Sequence, residues 1–287
     1  MLDPNSPHGG IDVLSTGVGF CEGPVILPDG SVAAVAIDRG EVTLTDRSGV
    51  TRRLARTGGG PNGLVADRHG GFYLCQNGGI WPAVETAAAG LQHIDREGEV
   101  SQVATGPTAP NDLAFGPDGL LYVTDPTRSD SRDDGRIWRF NPDTGECLLW
   151  MRMGFYCNGI GFGLEDDRVY IADTGGGRIV CVPLDRPDER SITTVARLRH
   201  GLPDGFAFDV EGRLLVASIG AAEGDEGCLE LHDPVEGYLA CVACGGSRFV
   251  TNVALSPEGR AILTDSGNGR LLQWQYGVPG LPLFPFR

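Results

Sequence analysis

Short apolar runs set between turn residues recur along the whole chain. A polar residue opens a brief apolar run, as with Leu113 and Phe115 or Phe206 and Phe208. A Pro-Asp-Gly or Glu-Gly type turn follows, and a β-rich run such as LLYVTD or RVYIAD returns. This reads as an antiparallel hairpin, because Asp-Gly and Glu-Gly supply the positive-φ positions that tight turns demand. A third run opens after a glycine: GLQHIDREG from Gly90, GRIWRFNPDTG from Gly135, GRIVCVPLD from Gly177 and GRLLQW from Gly269. Each unit therefore offers three to four strands.

The units align at their starts: EGPVILPDG from Glu22, NGLVADRHGG from Asn62, NDLAFGPDG from Asn111, NGIGFGLEDD from Asn158, DGFAFDVEG from Asp204 and NVALSPEG from Asn252. Successive starts lie 40, 49, 47, 46 and 48 residues apart, a mean of 46. A period of roughly 40–50 residues with four strands per unit is that of propeller blades. The expectation is an all-β fold, a six-bladed β-propeller with four-stranded antiparallel blades, occupying 1–287 as one domain. The run IDVLSTG from Ile11 precedes the first unit, and it is expected to supply the outer strand of the blade begun by Asn252. WPAVETAAAG from Trp81 is Ala-rich but flanked by Pro82 and Gly90, which favours a loop over a helix.

Composition narrows the functional classes. The 287 residues include 44 Gly and 19 Pro, a turn-dense but folded composition, with 41% hydrophobic residues to build a core. Lys and Arg number 23 against 38 Asp and Glu, a net charge of −15. That balance argues against a nucleic-acid binder, which needs a basic face. No apolar stretch approaches the ~18 residues of a membrane span, and the start MLDPNSPHGG has neither a basic nor an apolar signal region. A cytoplasmic protein with no membrane or nucleic-acid partner is expected, and its eight scattered cysteines read as reduced, mostly buried thiols.

The heads of the units carry the candidate chemistry. Glu22, Asn62, Asn111, Asn158, Asp204 and Asn252 occupy equivalent positions, so in a propeller all six would face one axis. Unpaired polar groups in a partly buried channel cost on the order of 2–7 kcal/mol each in the harshest reference state. A divalent cation removes that cost; a water-filled channel is the alternative. Oxygen-only ligation suits Ca²⁺ first, then Mg²⁺ or Mn²⁺, with Zn²⁺ or Fe²⁺ as further divalent options.

The segments EGP at Glu22, PNDLAFGPDGLLYVTD around Asn111, NGIGFGLEDDRVYIADT at Asn158, PDGFAFDVEGRLLVA around Asp204 and the ending PGLPLFPFR resemble the gluconolactonase / regucalcin / luciferin-regenerating-enzyme family over nearly the whole chain. The resemblance implies a six-bladed propeller with one catalytic divalent metal on its axis, opening a lactone substrate to a hydroxy acid. Carried over by position, Glu22, Asn158 and Asp204 match the metal ligands. Asn111 matches the asparagine that contacts substrate or completes the metal shell, and Asp204 matches the base. Regucalcin-like members carry an arginine where this chain has Ala109, which places the resemblance nearer to bacterial gluconolactonase-type enzymes. Trp81, Arg128 and Tyr156 are candidates for substrate contact from the loops of the metal face. A non-enzymatic calcium-binding scaffold, and an esterase or phosphotriesterase using the same metal, are the competing classes.

Other motifs read as structural. Cys241-Val-Ala-Cys244 is a lone CxxC. The run Asp130 to Gly135 lacks the closing Glu of a calcium loop and reads as a hairpin turn. The five histidines do not cluster, His200 being a loop residue, and no G-x-S-x-G elbow occurs.

Overall fold

The first strand, β1 (Asp12–Thr16), does not belong to the sheet that follows it. The next four strands make blade one: β2 (Cys21–Ile26), β3 (Val32–Ala36), β4 (Glu41–Thr45) and β5 (Thr51–Arg56). Blade two comprises β6 (Pro61–Ala66), β7 (Phe72–Gln76), β8 (Gly90–Ile94) and β9 (Val100–Ala104). Blade three comprises β10 (Leu113–Phe115), β11 (Leu121–Asp125), β12 (Gly135–Phe140) and β13 (Cys147–Met153). Blade four comprises β14 (Cys157–Gly161), β15 (Arg168–Asp173), β16 (Arg178–Pro183) and β17 (Thr193–Arg197). Blade five comprises β18 (Leu202–Phe208), β19 (Leu214–Ile219), β20 (Cys228–Asp233) and β21 (Gly237–Ala243). In blade six, β22 (Val250–Leu255), β23 (Arg260–Asp265) and β24 (Arg270–Gln275) are completed by β1, with Asp12 opposite Gln273 and Thr16 opposite Arg270. All pairings are antiparallel, and the sheets form the expected six-bladed propeller, closed by its N-terminal strand.

This computed structural model describes residues 10–80, 83–127 and 134–287. Among them the only helical pieces are single 3₁₀ turns at Ile37–Arg39, Glu189–Ser191 and Ser266–Asn268. Residues 83–89 are irregular, as the flanking Pro and Gly lead one to expect, and among the described residues no helix is long and apolar enough to cross a membrane.

The core is divided among the interfaces between neighbouring blades. Val35, Ile37, Leu64 and Leu74 join blades one and two, and Leu113, Val123, Val65 and Leu91 join two and three. Around the ring, the last interface sets Leu14 and Leu271 against Cys21, Val32 and Ala34 of blade one. Period-2 strands can supply both sides of such stacked sheets because alternate residues face opposite neighbours.

The two ends of the propeller differ. Inner-strand heads, Glu22 among them, sit at one end, since Cys21 pairs with Ala36 at the start of β2. The hairpin turns between the first and second strands mark the other end, where the C-terminal segment crosses. Leu281 and Phe284 pack into the clusters of blades two to five. Gly280 pairs with Asp209, Arg68 Nε donates to the Pro285 carbonyl, and Arg287 donates to the carbonyls of Gly163 and Leu164. The head end is therefore the one left without this covering segment.

Candidate functional site

The six heads are brought together by close approach of the inner strands. In most blades the strand register slips at or beside the head: at Glu22/Val25, Pro61/Leu64, Cys157/Ile160, Pro203/Phe206 and Val250/Asn252. Such bulges bend the strand and re-aim side chains. Glycine follows the head in four blades because the neighbouring strand is too near for a side chain. A Cβ on Gly159 would lie 2.3 Å from the Asp204 carbonyl oxygen, and one on Gly63 would lie 2.5 Å from the Asp112 carboxylate.

A continuous circuit of contacts links all six blades at this level. The Asn62–Gly63 backbone abuts Gly23, and the Gly63 N–H donates to the Asn111 carbonyl at 2.6 Å. The Ile160 N–H donates to the Asp112 carboxylate. Gly159 abuts Asp204, and Gly205 abuts the Asn252 side chain. Thr251 and Asn252 donate to the Glu22 carboxylate, which also accepts the Gly23 N–H at 3.0 Å, and the ring is closed. Glu22, Asn62, Asn111, Asn158 and Asp204 each keep only 5–8% of their surface exposed. They are mostly desolvated yet still reachable by a ligand.

The electrostatics follow from that enclosure. Burial raises the Glu22 carboxyl above its ordinary range, against the lowering effect of its three donors. Burial likewise pushes Asp112 up to about 7, opposed by the Leu113 N–H and reinforced by the Glu22 charge. Asn158 Oδ1 is buried and accepts no hydrogen bond. An orphaned acceptor in the same ring as carboxyls that resist ionisation is the pattern a hard cation would relieve, since it supplies the positive charge that both lack. Glu22, Asn158 and Asp204, with Asn111, offer oxygen donors of the kind Ca²⁺ or Mg²⁺ takes. Among the described residues no group of three or more His, Cys, Asp or Glu side chains could hold a metal ion. The fit rests on amide oxygens as much as on carboxylates.

Asp112 is the residue that reasoning from the repeats passed over. It stands where four of the other five units have glycine, so the Asn111-Asp112 pair was the visible signal. Asn252, grouped with Asn62 by its position, differs from it by donating to Glu22. Ala109 is buried, and its N–H donates to Asp125 Oδ1 at 3.0 Å, beside the Thr108 N–H to Oδ2 at 2.9 Å. Trp138 Nε1 donates to the same carboxylate, so Asp125 fixes the segment entering Asn111. Tyr156 is half-buried two residues before Asn158, on the head end. Trp81 and Arg128, like the run from Asp130 to Asp133, lie outside the described residues. His200 is an exposed loop residue whose ring lies 3.1 Å from the Tyr238 hydroxyl. All eight cysteines are free thiols, and Cys241 hydrogen-bonds with Cys228 rather than with its CxxC partner Cys244.

A six-bladed propeller with acid and amide oxygens gathered at one end of its axis is the class that fold and site define. Residues 20–264 match the family described as SMP-30/Gluconolactonase/LRE-like region, and the chain belongs to that family. A search of curated protein sequences found no match. Among solved structures, a gluconolactonase from Xanthomonas campestris is 21% identical with a TM-score of 0.74, the alignment covering 94% of this chain and 89% of that one. Regucalcin from Agrobacterium tumefaciens, described as a calcium-binding protein, is 19% identical with a TM-score of 0.75 over 96% and 97% of the two chains. A luciferin-regenerating enzyme is 14% identical, with a TM-score of 0.75 over 95% and 97%. At these identities the likeness is one of fold.

Proposed function

We propose that this protein hydrolyses a lactone to the corresponding hydroxy acid at the head end of the propeller axis. The observation that carries the proposal is the Asn158 acceptor, buried without a donor in a ring that also holds Glu22 and Asp204. Family membership supports the lactonase class. Glu22, Asn158, Asp204 and Asn111 would hold a divalent cation, Ca²⁺ first. When bound, the cation supplies Lewis-acid polarisation of the ester carbonyl.

The chain's own groups do the rest. Asp204 takes a proton from the attacking water as its oxygen bonds to the carbonyl carbon. The ring C–O bond then breaks, and the proton passes to the departing alkoxide oxygen, giving one carboxylic acid and one alcohol on a single product. Asn111 presents an amide that can donate to the substrate oxygens, and its segment is held by Asp125. Tyr156, Trp81 and Arg128 are the proposed substrate contacts. Ala109 offers no cation or donor to a polyhydroxylated ring, which directs the reading toward lactones with few hydroxyls.

A panel of aliphatic γ- and δ-lactones, gluconolactone, linear esters and an organophosphate, each assayed with and without EDTA, tests this reading. EDTA-sensitive turnover highest on the aliphatic lactones is expected. Turnover confined to linear esters or the organophosphate would replace the substrate class. The calcium-binding neighbour favours a second reading, a propeller that binds calcium without catalysis. Stoichiometric calcium uptake with no turnover across the panel would select it.

A further inference from the structure

A cleft of about 580 Å³ opens on the outer side of the ring where the closing strand β1 meets β4 and β5 of blade one. Arg39, Arg52 and Arg53 line it with a single acid, Glu41. Three guanidiniums around one cleft stand against the protein's overall charge of −15.

The arginines here also differ from three that anchor other blades. Arg178, Arg213 and Arg270 are each tied to a buried Asp of their own blade. Arg53 reaches Glu41 only at 3.7 Å, and Arg39 and Arg52 make no ion pair or side-chain hydrogen bond among the described residues. The hydroxyls behind the cleft wall are bonded among themselves and brace β1 against blade one. Ser15 Oγ donates to the Gly49 carbonyl at 2.9 Å and lies 2.8 Å from Thr51 Oγ1, which lies 2.7 Å from Thr45 Oγ1.

Exposed guanidinium forks free of close acid partners are the donor set that recognises tetrahedral or carboxylate oxyanions, because each fork offers paired N–H groups at the spacing of two anionic oxygens. The volume falls in the ~300–1,000 Å³ range of small-molecule sites. We propose that this cleft binds a small polyvalent oxyanion, a phosphomonoester of metabolite size, between the arginines of blade one and the closing strand. The occupant would bridge β1 of blade six and β4 and β5 of blade one, so binding stabilises that interface between blades by linkage. The cleft lies on the outer flank of the propeller and shares no residue with the axial site. The proposal therefore stands whether or not the protein is a lactonase.

The test is a calorimetric titration of the full chain with inorganic phosphate and with glucose 6-phosphate, against chloride at matched ionic strength. Melting curves are recorded in parallel. Saturable binding is expected for both phosphates, tighter for the sugar phosphate if the cleft also reads the organic part, with a melting temperature that rises as the site fills. Arg39→Gln with Arg52→Gln should weaken binding at least tenfold, and Arg52→Glu alone should do the same. Both arginines are exposed, and the melting temperature in chloride checks that the variants remain folded. Binding no stronger than chloride, or unchanged affinity in the folded double variant, overturns the site.

Discussion

A buried acceptor without a donor costs about 1–3 kcal/mol, more than the net gain from a typical hydrogen bond. Asn158 Oδ1 is such an atom, whereas the Glu22 carboxylate, in blade one of the same ring, has three donors. Asn158→Ala should therefore weaken calcium binding at least tenfold while changing metal-free stability by less than about 1 kcal/mol. Calorimetry and urea unfolding in chelator measure the two quantities. Asn62→Ala should leave calcium affinity nearly unchanged, and Asn252→Ala should lower it moderately by freeing Glu22. A second residue-scale expectation concerns Glu230, which is fully buried in blade five. Burial alone would raise its carboxyl, but donors from His232, Arg199 N–H and His200 N–H outweigh it and hold the group below its ordinary range. A depressed folded pKa means the stabilisation is complete above the unfolded value of about 4.3 and fades as pH falls through the folded one. The stability gap between wild type and Glu230→Gln should thus be largest near neutrality and shrink below about pH 4. A gap that widens with acid would contradict the assignment.

Inner strands decide the site through their spacing. The Gly159 position leaves no room for a methyl group against the Asp204 carbonyl, so Gly159→Ala must push β14 from β18 and spread two proposed ligands. Loss of at least tenfold in calcium affinity is expected, with the far-UV spectrum still that of a sheet protein. Wild-type affinity would show that the strands can part without cost to the site. At this scale much was legible beforehand. The mean period of 46 residues, the polar heads and the leftover run at Ile11 fixed the blade number and the closure, because strand repeats and turn glycines are local signals. Less local facts were not legible. The donation from Thr251 and Asn252 to Glu22 joins residues some 230 positions apart in sequence, and only the closed ring brings them together. Asp112 belongs to the same category, since its significance depends on the Ile160 N–H of the next blade.

Closure of the whole ring rests on β1, whose Leu14 packs with Leu271 against Val32 and Ala34 of blade one. Leu14→Ala should cost about 2 kcal/mol, toward the lower end for buried leucines because the residue keeps 9% exposure. Denaturant unfolding should show one cooperative transition shifted to lower midpoint. At the opposite end, the C-terminal segment crosses the face remote from the heads, and the head end, free of that segment, is the approach assigned to substrate in the proposed reaction. The measurement that bears most directly on that reaction is kcat for a reactive lactone, determined for wild type and Asp204→Asn across a calcium titration after chelation. Wild-type activity should vanish in chelator and return with calcium. Asp204→Asn keeps an oxygen for the metal but cannot take the proton from water, so its kcat at saturating calcium should stay about 10²–10⁴-fold lower. Full wild-type activity in chelator, or full recovery of Asp204→Asn at high calcium, would contradict metal-assisted hydrolysis with Asp204 as the base.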